Sequence, residues 1–421
     1  MRKFQKAARL RAIPNNVCAP RGFLASGIAA GIKKSGGKDV AMIISETPCL
    51  SAGTFTTNSA KAAPVLFDLA HVRRQAIRGI IINSGNANAC TGKHGLRNAQ
   101  AMSTLAGQAV TALGFPAGKH GFLVCSTGRI GIQLPMEKIS RGIRKAAAHL
   151  ARKGQIAAEA IMTTDTFPKE VAVEIKIGSA TVRVGGIAKG AGMIQPGMST
   201  SGRRPALHAT MLSFVTTDAA ISPATLQECL NRAVAQSFNR ITVDGDMSTN
   251  DTVLLLANGK AGNKTLRRAS PDLRLFQEAL NHVTLTLAQM IVKDGEGTSK
   301  VVTVKITGAS SANDAELAVR AIGNSTLVKC SWCGEDPNWG RLYDAIGYSG
   351  ARFNDSVFSI KYDGILLVRN GLQIQKNWKK VCQIVKKPSF LIECGLGLGN
   401  YQSILYTTDL TEKYVELNKG E

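Results

Sequence analysis

The sequence predicts an α/β protein in which helices are layered on sheets, and three observations carry that expectation. Strand-like and helix-like stretches alternate along the chain. Glycine is abundant, 42 of 421 residues, while aromatics make up only 5%, a balance that suits a tightly turned fold. With 44% hydrophobic residues, a chain of this length can bury one large core or two ordinary ones.

The elements follow in order. Val40–Ser45 and Gly79–Asn83 are short apolar runs ending at turn residues, the form of buried strands. Leu96–Leu113 and Ser140–Lys153 have helical spacing with small residues. Past the middle, Ala224–Ser237 reads as helix, Thr252–Ala257 as strand and Ser270–Lys293 as mostly helix. Such alternation points to sheets covered by helices. Gly190–Ala209 is crowded with Gly, Pro and Ser and must be a loop. It runs directly into Thr210–Ile221, an apolar strand-like segment that begins with a threonine.

Bulk properties exclude several classes. No apolar run approaches the length needed to cross a bilayer, so no membrane partner is expected. The nine cysteines are scattered, which argues for a reducing compartment rather than a disulfide framework. Cys330 and Cys333 form a lone CxxC pair, read as two reduced cysteines near a strand end. The net charge of +23, from 52 Lys and Arg against 29 acids, raises nucleic acid as a partner. The basic residues are spread along the whole chain with no recognition motif, so attraction of anionic metabolites is the preferred reading and no nucleic acid is expected. Met1–Asn16 is basic and free of acids. It reads as a leader joined to a soluble cytoplasmic protein, with a transit peptide to the mitochondrial matrix as the alternative.

The chemistry centres on a threonine. Its hydroxyl is a poor nucleophile without a base beside it. Cutting the chain just before it frees an α-amine that titrates near ~8, against ~10.4 for lysine, and so supplies a neutral base. The sequence pattern for this device is a small residue, a threonine and a buried strand. His208-Ala209-Thr210-Met211-Leu212 fits, although an Ala-Thr step opening a strand is by itself an ordinary structural feature.

The surrounding segments resemble the ornithine acetyltransferase (glutamate N-acetyltransferase) family across nearly the whole chain. The resemblance rests on Lys189-Gly190-Ala191-Gly192-Met193-Ile194, Ala209-Thr210-Met211-Leu212 and Thr216-Thr217-Asp218. Before these come Asn83-Ser84-Gly85-Asn86-Ala87-Asn88, Ser126-Thr127-Gly128 and Thr163-Thr164-Asp165-Thr166. After them come Ser248-Thr249-Asn250-Asp251, Asp294-Gly295-Glu296-Gly297 and Asp336-Pro337-Asn338-Trp339-Gly340-Arg341. The resemblance implies a layered α/β fold similar to N-terminal-nucleophile hydrolases. It also implies self-cleavage between Ala209 and Thr210, giving an alpha chain (1–209) and a beta chain (210–421) that fold together and assemble as α2β2. The implied reaction is ping-pong: Thr210 takes acetyl from N-acetylornithine, releases ornithine, and passes the acetyl to glutamate to form N-acetylglutamate. Some members also use acetyl-coenzyme A. No cofactor and no metal are implied.

Residue by residue, the resemblance makes Thr127 and Gly128 the oxyanion hole, which the residues place on a turn after the apolar run Phe122–Val124. It makes Lys189, Thr164, Thr210, Glu296 and Asn418 substrate contacts, Lys189 by pairing with a carboxylate and Glu296 with an ammonium or amide; Thr163 and Thr166 lie close enough to Thr164 to be alternatives to it. Asp244, Asp246 and Asp251 cluster as a metal set would, yet are read as loop and supporting acids. The Asp336–Arg341 run is assigned to structure, and Gly395–Gly399 lacks dinucleotide spacing.

Two departures stand out. The family places its nucleophile about eleven residues after the lysine; here roughly ten more intervene, an insertion of a size that loops tolerate cheaply. Ser199-Thr200 falls at the family spacing, so Thr200 competes with Thr210, which alone is followed by the Met-Leu-x-Phe strand. At the other end a hydroxyl contact expected beyond Asn418 has no counterpart. Two rival readings remain: a self-processing amidase or aminopeptidase on a similar scaffold, and an inactive basic descendant.

Overall fold

Most apolar runs in the first part of the chain pair into one ten-stranded sheet. The computed structural model describes residues 10–74, 76–118, 121–199 and 211–419. The sheet strands are β1 (Arg11–Ala12), β2 (Phe23–Ile28), β3 (Val40–Thr56), β4 (Ile77–Asn86), β5 (Phe122–Arg129), β6 (Lys169–Ile177), β7 (Ala180–Lys189), β8 (Met198–Ser199), β9 (Leu212–Thr217) and β10 (Thr252–Ala257). Their order is β1-β6-β7-β9-β10-β3-β4-β5, with β2 and β8 also paired to β3.

Uninterrupted apolar runs form strands here because both faces of the sheet are covered. In β3, Ala41 and Ile43 enter one core while Val40, Met42 and Ile44 enter another. In β4, Ile80 and Ile82 join the first and Ile81 the second. Helix α4 (Gln155–Ile161) lines the first core. Helices α2 (Gly92–Thr111) and α3 (Met136–Ala148) line the second through Met102, Val110, Ile139 and Ile143. Burying each such side chain contributes about 1.5–3 kcal/mol. Helices α1 (Ala63–His71), α5 (Pro223–Gln236) and α6 (Leu273–Lys293) complete the first part.

Helix α3 starts earlier and stops sooner than the spacing Ser140–Lys153 predicts. The reason is competition for backbone groups: Ala151 exchanges hydrogen bonds with Ala25 of β2, at 2.9 and 3.0 Å, which takes the chain out of the helix. Strand β3 runs well past Ser45, with a register break between Ile44 and Cys49 where the polar Glu46 and Thr47 sit.

A second sheet of six strands comprises β11 (Val301–Ala309), β12 (Ser359–Tyr362), β13 (Ile365–Arg369), β14 (Leu372–Gln373), β15 (Ser389–Gly395) and β16 (Tyr401–Thr408), in the order β14-β13-β12-β15-β11-β16. Here alternation replaces continuous runs, because one face carries the core: Val302, Val304 and Ile306 of β11 point into it. Helices α7 (Ala312–Asn324), α8 (Thr326–Cys333) and α9 (Trp339–Tyr348) pack there through Val319, Ile322, Trp332 and Leu342, followed by α10 (Trp378–Ile384) and α11 (Glu412–Leu417). The two sheets belong to two units, one of Met1–Asn239 with Asp246–Ile291 and one of Arg240–Gly245 with Val292–Glu421.

Cys330 and Cys333 sit in α8, a helix, rather than near a strand end. The start signal was Ser325, whose side chain accepts from the Val328 N–H and caps the helix. Both are free, as is every other described cysteine. The Asp336–Arg341 run is structural: Asn338 caps α9 by accepting from the Arg341 N–H at 3.3 Å.

Candidate functional site

In the first unit the candidate site forms at the carboxyl ends of the parallel pair β4 and β5. Thr127 and Gly128 close β5 in register with Ser84 and Gly85 of β4. They were expected on a turn; the non-local pairing with β4 keeps them in the strand. Gly128 has φ +129°, and a Cβ there would lie 2.4 Å from the Gly85 carbonyl carbon and 2.6 Å from the Asn86 nitrogen. Only glycine fits so close an approach of two backbones.

Strand β7 delivers Lys189, which is buried. Its ammonium donates to Thr127 Oγ1 at 3.2 Å and to Thr163 Oγ1 at 2.8 Å. A lysine only donates, so both hydroxyls accept from it and keep their own protons for another acceptor. The Thr127 hydroxyl is thus polarised as a donor, the property an oxyanion needs.

Asp165 supplies the counter-charge. It is buried and accepts from Lys169 Nζ at 2.6 Å, the Gly190 N–H at 2.7 Å and the Thr163 N–H at 2.8 Å. Burial alone would raise its pKa, but Lys189, Lys169 and the Gly190 N–H together hold it down at about 2. Thr164 stands exposed beside this cluster, and Thr163 rather than Thr164 is the residue bonded to Lys189.

The Ser248–Asp251 motif fixes the neighbouring strands. Asn250 Nδ2 donates to the carbonyls of Ala87 and Ser126, at 2.7 and 2.8 Å, and so holds β5 one residue before Thr127. Asp251 Oδ1 accepts from the Met211 N–H at 2.5 Å. Asp68 of α1 supports β5 from its outer edge, where its fully buried carboxyl accepts from the Val124 N–H at 2.8 Å. Burial raises the Asp68 pKa well above the carboxylate range, although the bonds to Val124 and Cys125 oppose it.

Thr210, Ala209 and Thr200 lie outside the described residues. Their described neighbours are informative. Ser199 pairs with Phe55, Phe55 with Thr252, Thr252 with Leu212, and Leu212 with Lys189. This row crosses five strands, so Ser199 is four spacings from Lys189, about 19 Å along the sheet. Leu212 is Lys189's immediate partner. Strand β9 itself lies between β7 and β10, so segments from before and after Thr210 share one sheet.

The second unit carries Glu296 and Asn418, and it brings them together: Asn418 Nδ2 donates to Glu296 Oε2 at 2.9 Å. Helix α11 docks on the Asp294–Gly297 turn, where Thr411 Oγ1 donates to the Gly297 carbonyl at 2.7 Å. A Cβ on Gly297 would lie 2.5 Å from the Tyr414 nitrogen, which explains that glycine. Asp244 accepts from the Tyr414 hydroxyl at 3.4 Å, a supporting role. Among the described residues no group of three or more His, Cys, Asp and Glu could hold a metal. Nor is any described helix long and apolar enough to cross a membrane.

Beneath that turn Lys329 is buried and donates to Thr407 Oγ1 at 3.2 Å and Thr408 Oγ1 at 3.1 Å. The next residue, Asp409, accepts from the Ser299 and Lys300 N–H groups, each at 3.0 Å. Lys329 thereby supports the segment that leads from Glu296. Burial lowers its pKa to about 7, with Asp244 and Asp409 opposing. The unfolded chain, near ~10.4, then holds more protons than the folded one between pH 7 and about 10. Stability is expected to rise with pH across that window by a few kcal/mol, and Lys329→Met to remove the rise. Urea titrations of both proteins at several pH values check it.

Thr163 stands beside Thr164 as an alternative contact in the sequence, whereas the paired Asp165 and Lys169 carry no role there. Thr163 adjoined the expected Thr164, and Asp165 reads as one polar residue in a loop. The lone signal was the Thr163-Thr164-Asp165-Thr166 match itself.

Comparison with known proteins supplies the relationship. The ArgJ family model matches residues 24–420. An arginine biosynthesis bifunctional protein ArgJ from Symbiobacterium thermophilum is 44% identical over 409 residues, covering 96% of this chain and 98% of that protein. A protein of the same description from Geobacter sulfurreducens is 44% identical over 401 residues, covering 94% and 98%. Among solved structures, an ornithine acetyltransferase complexed with ornithine from Mycobacterium tuberculosis is 42% identical, with a TM-score of 0.42, covering 45% of this chain and 100% of that one. The chain belongs to the ArgJ family.

Proposed function

We propose that this protein is an acyltransferase of arginine biosynthesis that moves acetyl from N-acetylornithine to glutamate through an ester on Thr210. The observation that carries the reading is the Lys189 ammonium, bonded to Thr127 and Thr163 and adjacent in the sheet to the strand that Thr210 precedes. Family membership over residues 24–420 supplies the chemistry to match.

Thr210 is preferred over Thr200 on the same ground. Thr200 follows Ser199, at the far end of the five-strand row, whereas Thr210 comes two residues before Leu212, the sheet partner of Lys189. Cleavage between Ala209 and Thr210 frees the amine that serves as its base. The hydroxyl then attacks the acetyl carbonyl, and the oxyanion forms against the Thr127 hydroxyl and the Gly128 N–H. The departing nitrogen of ornithine takes the proton, and Lys189 and Thr164 receive its α-carboxylate end. The amine of glutamate attacks the acetyl ester in turn, which frees the threonine hydroxyl and yields N-acetylglutamate. Both chain segments remain together because β9 is paired on each side, and an α2β2 assembly in the cytoplasm completes the proposal, with the mitochondrial matrix as the alternative compartment.

The test is turnover of N-acetylornithine with and without glutamate. Ornithine release sustained only when glutamate is present, with stoichiometric N-acetylglutamate, is expected. Equal release with water as acceptor would instead indicate an amidase, and no release at all an inactive descendant.

A further inference from the structure

We propose that Lys33 is the specificity residue that receives the second carboxylate of the acceptor amino acid; this rests on the acetyl transfer to glutamate proposed above. Residues 29–39 link β2 to β3 and lie at the end of β4 that carries the candidate site. The link is fastened there by backbone bonds, Asp39 N–H to the Ile28 carbonyl at 2.9 Å and Ser84 N–H to the Asp39 carbonyl at 2.8 Å.

Within the link the Asp39 side chain, fully buried, acts as a clamp. Its carboxylate accepts from the N–H groups of Ala30 at 2.6 Å, Ile32 at 2.6 Å and Lys33 at 3.1 Å. Three backbone donors on one buried carboxylate fix the direction in which Lys33 leaves the chain. That direction is toward the site. A Cβ added to Gly85 would lie 3.1 Å from Lys33 Cγ and 3.3 Å from Ile32 Cγ2, so the lysine stem packs on the glycine that faces Gly128. Gly85 has φ +94°, a backbone conformation that favours glycine.

The Lys33 ammonium donates to the Lys38 carbonyl at 2.6 Å in an exposed contact. Its surroundings are those of the site: partial burial lowers its pKa, Asp39 and Asp165 raise it, and Lys189 lowers it. Lys33 therefore carries its charge close enough to Asp165 and Lys189 to interact with both.

The two half-reactions differ in what a second cation would meet. The donor, N-acetylornithine, has one carboxylate and a side-chain ammonium, which Lys33 repels. The acceptor, glutamate, has two carboxylates, of which Lys189 takes one. The other is left without a partner unless a second cation faces it. A lysine on a flexible stem can leave a carbonyl for a carboxylate, a stronger charge-assisted partner.

The experiment uses the full-length protein and times the half-reactions separately. Ornithine release reports acetyl-enzyme formation, and discharge of the acetyl-enzyme is followed with glutamate and with glutamine, its neutral isostere. Lys33→Met is expected to raise the KM for glutamate about tenfold or more, the scale of one charge-assisted bond. It should lower the preference for glutamate over glutamine by a similar factor, and slow ornithine release far less. Lys33→Arg is expected to restore most of the preference. An unchanged glutamate-to-glutamine ratio in Lys33→Met, with the parent protein active in both steps, overturns the proposal alone. Equal losses in both half-reactions also overturn it. A parent protein that releases no ornithine overturns the acetyl-transfer reading with it.

Discussion

Replacing Thr210 with alanine is expected to leave a single uncut chain and to lower acetyl transfer by about four orders of magnitude or more, the scale of losing a covalent nucleophile. The described residues that follow that position, and their sheet neighbours, are held by specific contacts. Asp251 fixes Met211 through its N–H, Asn250 fixes the carbonyl of Ser126, and Lys189 pairs in the sheet with Leu212. Thr200→Ala is expected to leave cleavage and turnover within a few-fold of the parent, because Ser199 stands about 19 Å from Lys189 along the sheet. Thr210→Ser retains a hydroxyl and an α-amine and should retain part of both activities. Gel analysis of cleavage alongside ornithine release separates the three variants.

The largest stability effect is expected at Asp165. Its carboxylate is shared by Lys169 and Lys189, all three buried. Removing one partner of a buried charge group leaves the others uncompensated and costs about 3–5 kcal/mol. Asp165→Ala should therefore melt roughly 10 °C lower, at a few degrees per kcal/mol. Because the folded pKa is about 2, below the ordinary ~3.9, the native protein binds fewer protons there than the unfolded chain. Asp165 thus stabilises fully above about pH 4, and the contribution is lost as pH falls toward 2. Urea denaturation between pH 5 and 2 should show that loss in the parent and not in Asp165→Asn.

Periodicity located the elements that bury themselves. Thr252–Ala257 is a strand at the bounds the apolar run suggested, and Ala224–Ser237 and Ser270–Lys293 are helices within a few residues of theirs. It failed where a distant strand decides the outcome. Ser126-Thr127-Gly128 has the composition of a turn, yet pairing with Ser84 and Gly85 keeps it extended. Ala151 leaves a helical pattern because β2 takes its backbone. The same limit governs the site. Motif matching pointed to Thr127, Gly128, Lys189, Glu296 and Asn418, and the structure joins the first three in one unit and the last two in the other. The role of Asp165 was not legible, since nothing in a local polar run reveals that its acid is buried between two lysines. Asp39 was hidden for a similar reason: its clamp on Ala30, Ile32 and Lys33 exists only after β2 and β3 pair.

The most direct measurement of the central claim is intact mass with N-terminal sequencing of the purified protein, before and after exposure to N-acetylornithine. The account predicts two fragments, the second beginning Thr210-Met211-Leu212 and gaining one acetyl group that glutamate removes. A single uncut chain that gains no acetyl group, or a second fragment beginning at Thr200, would contradict it.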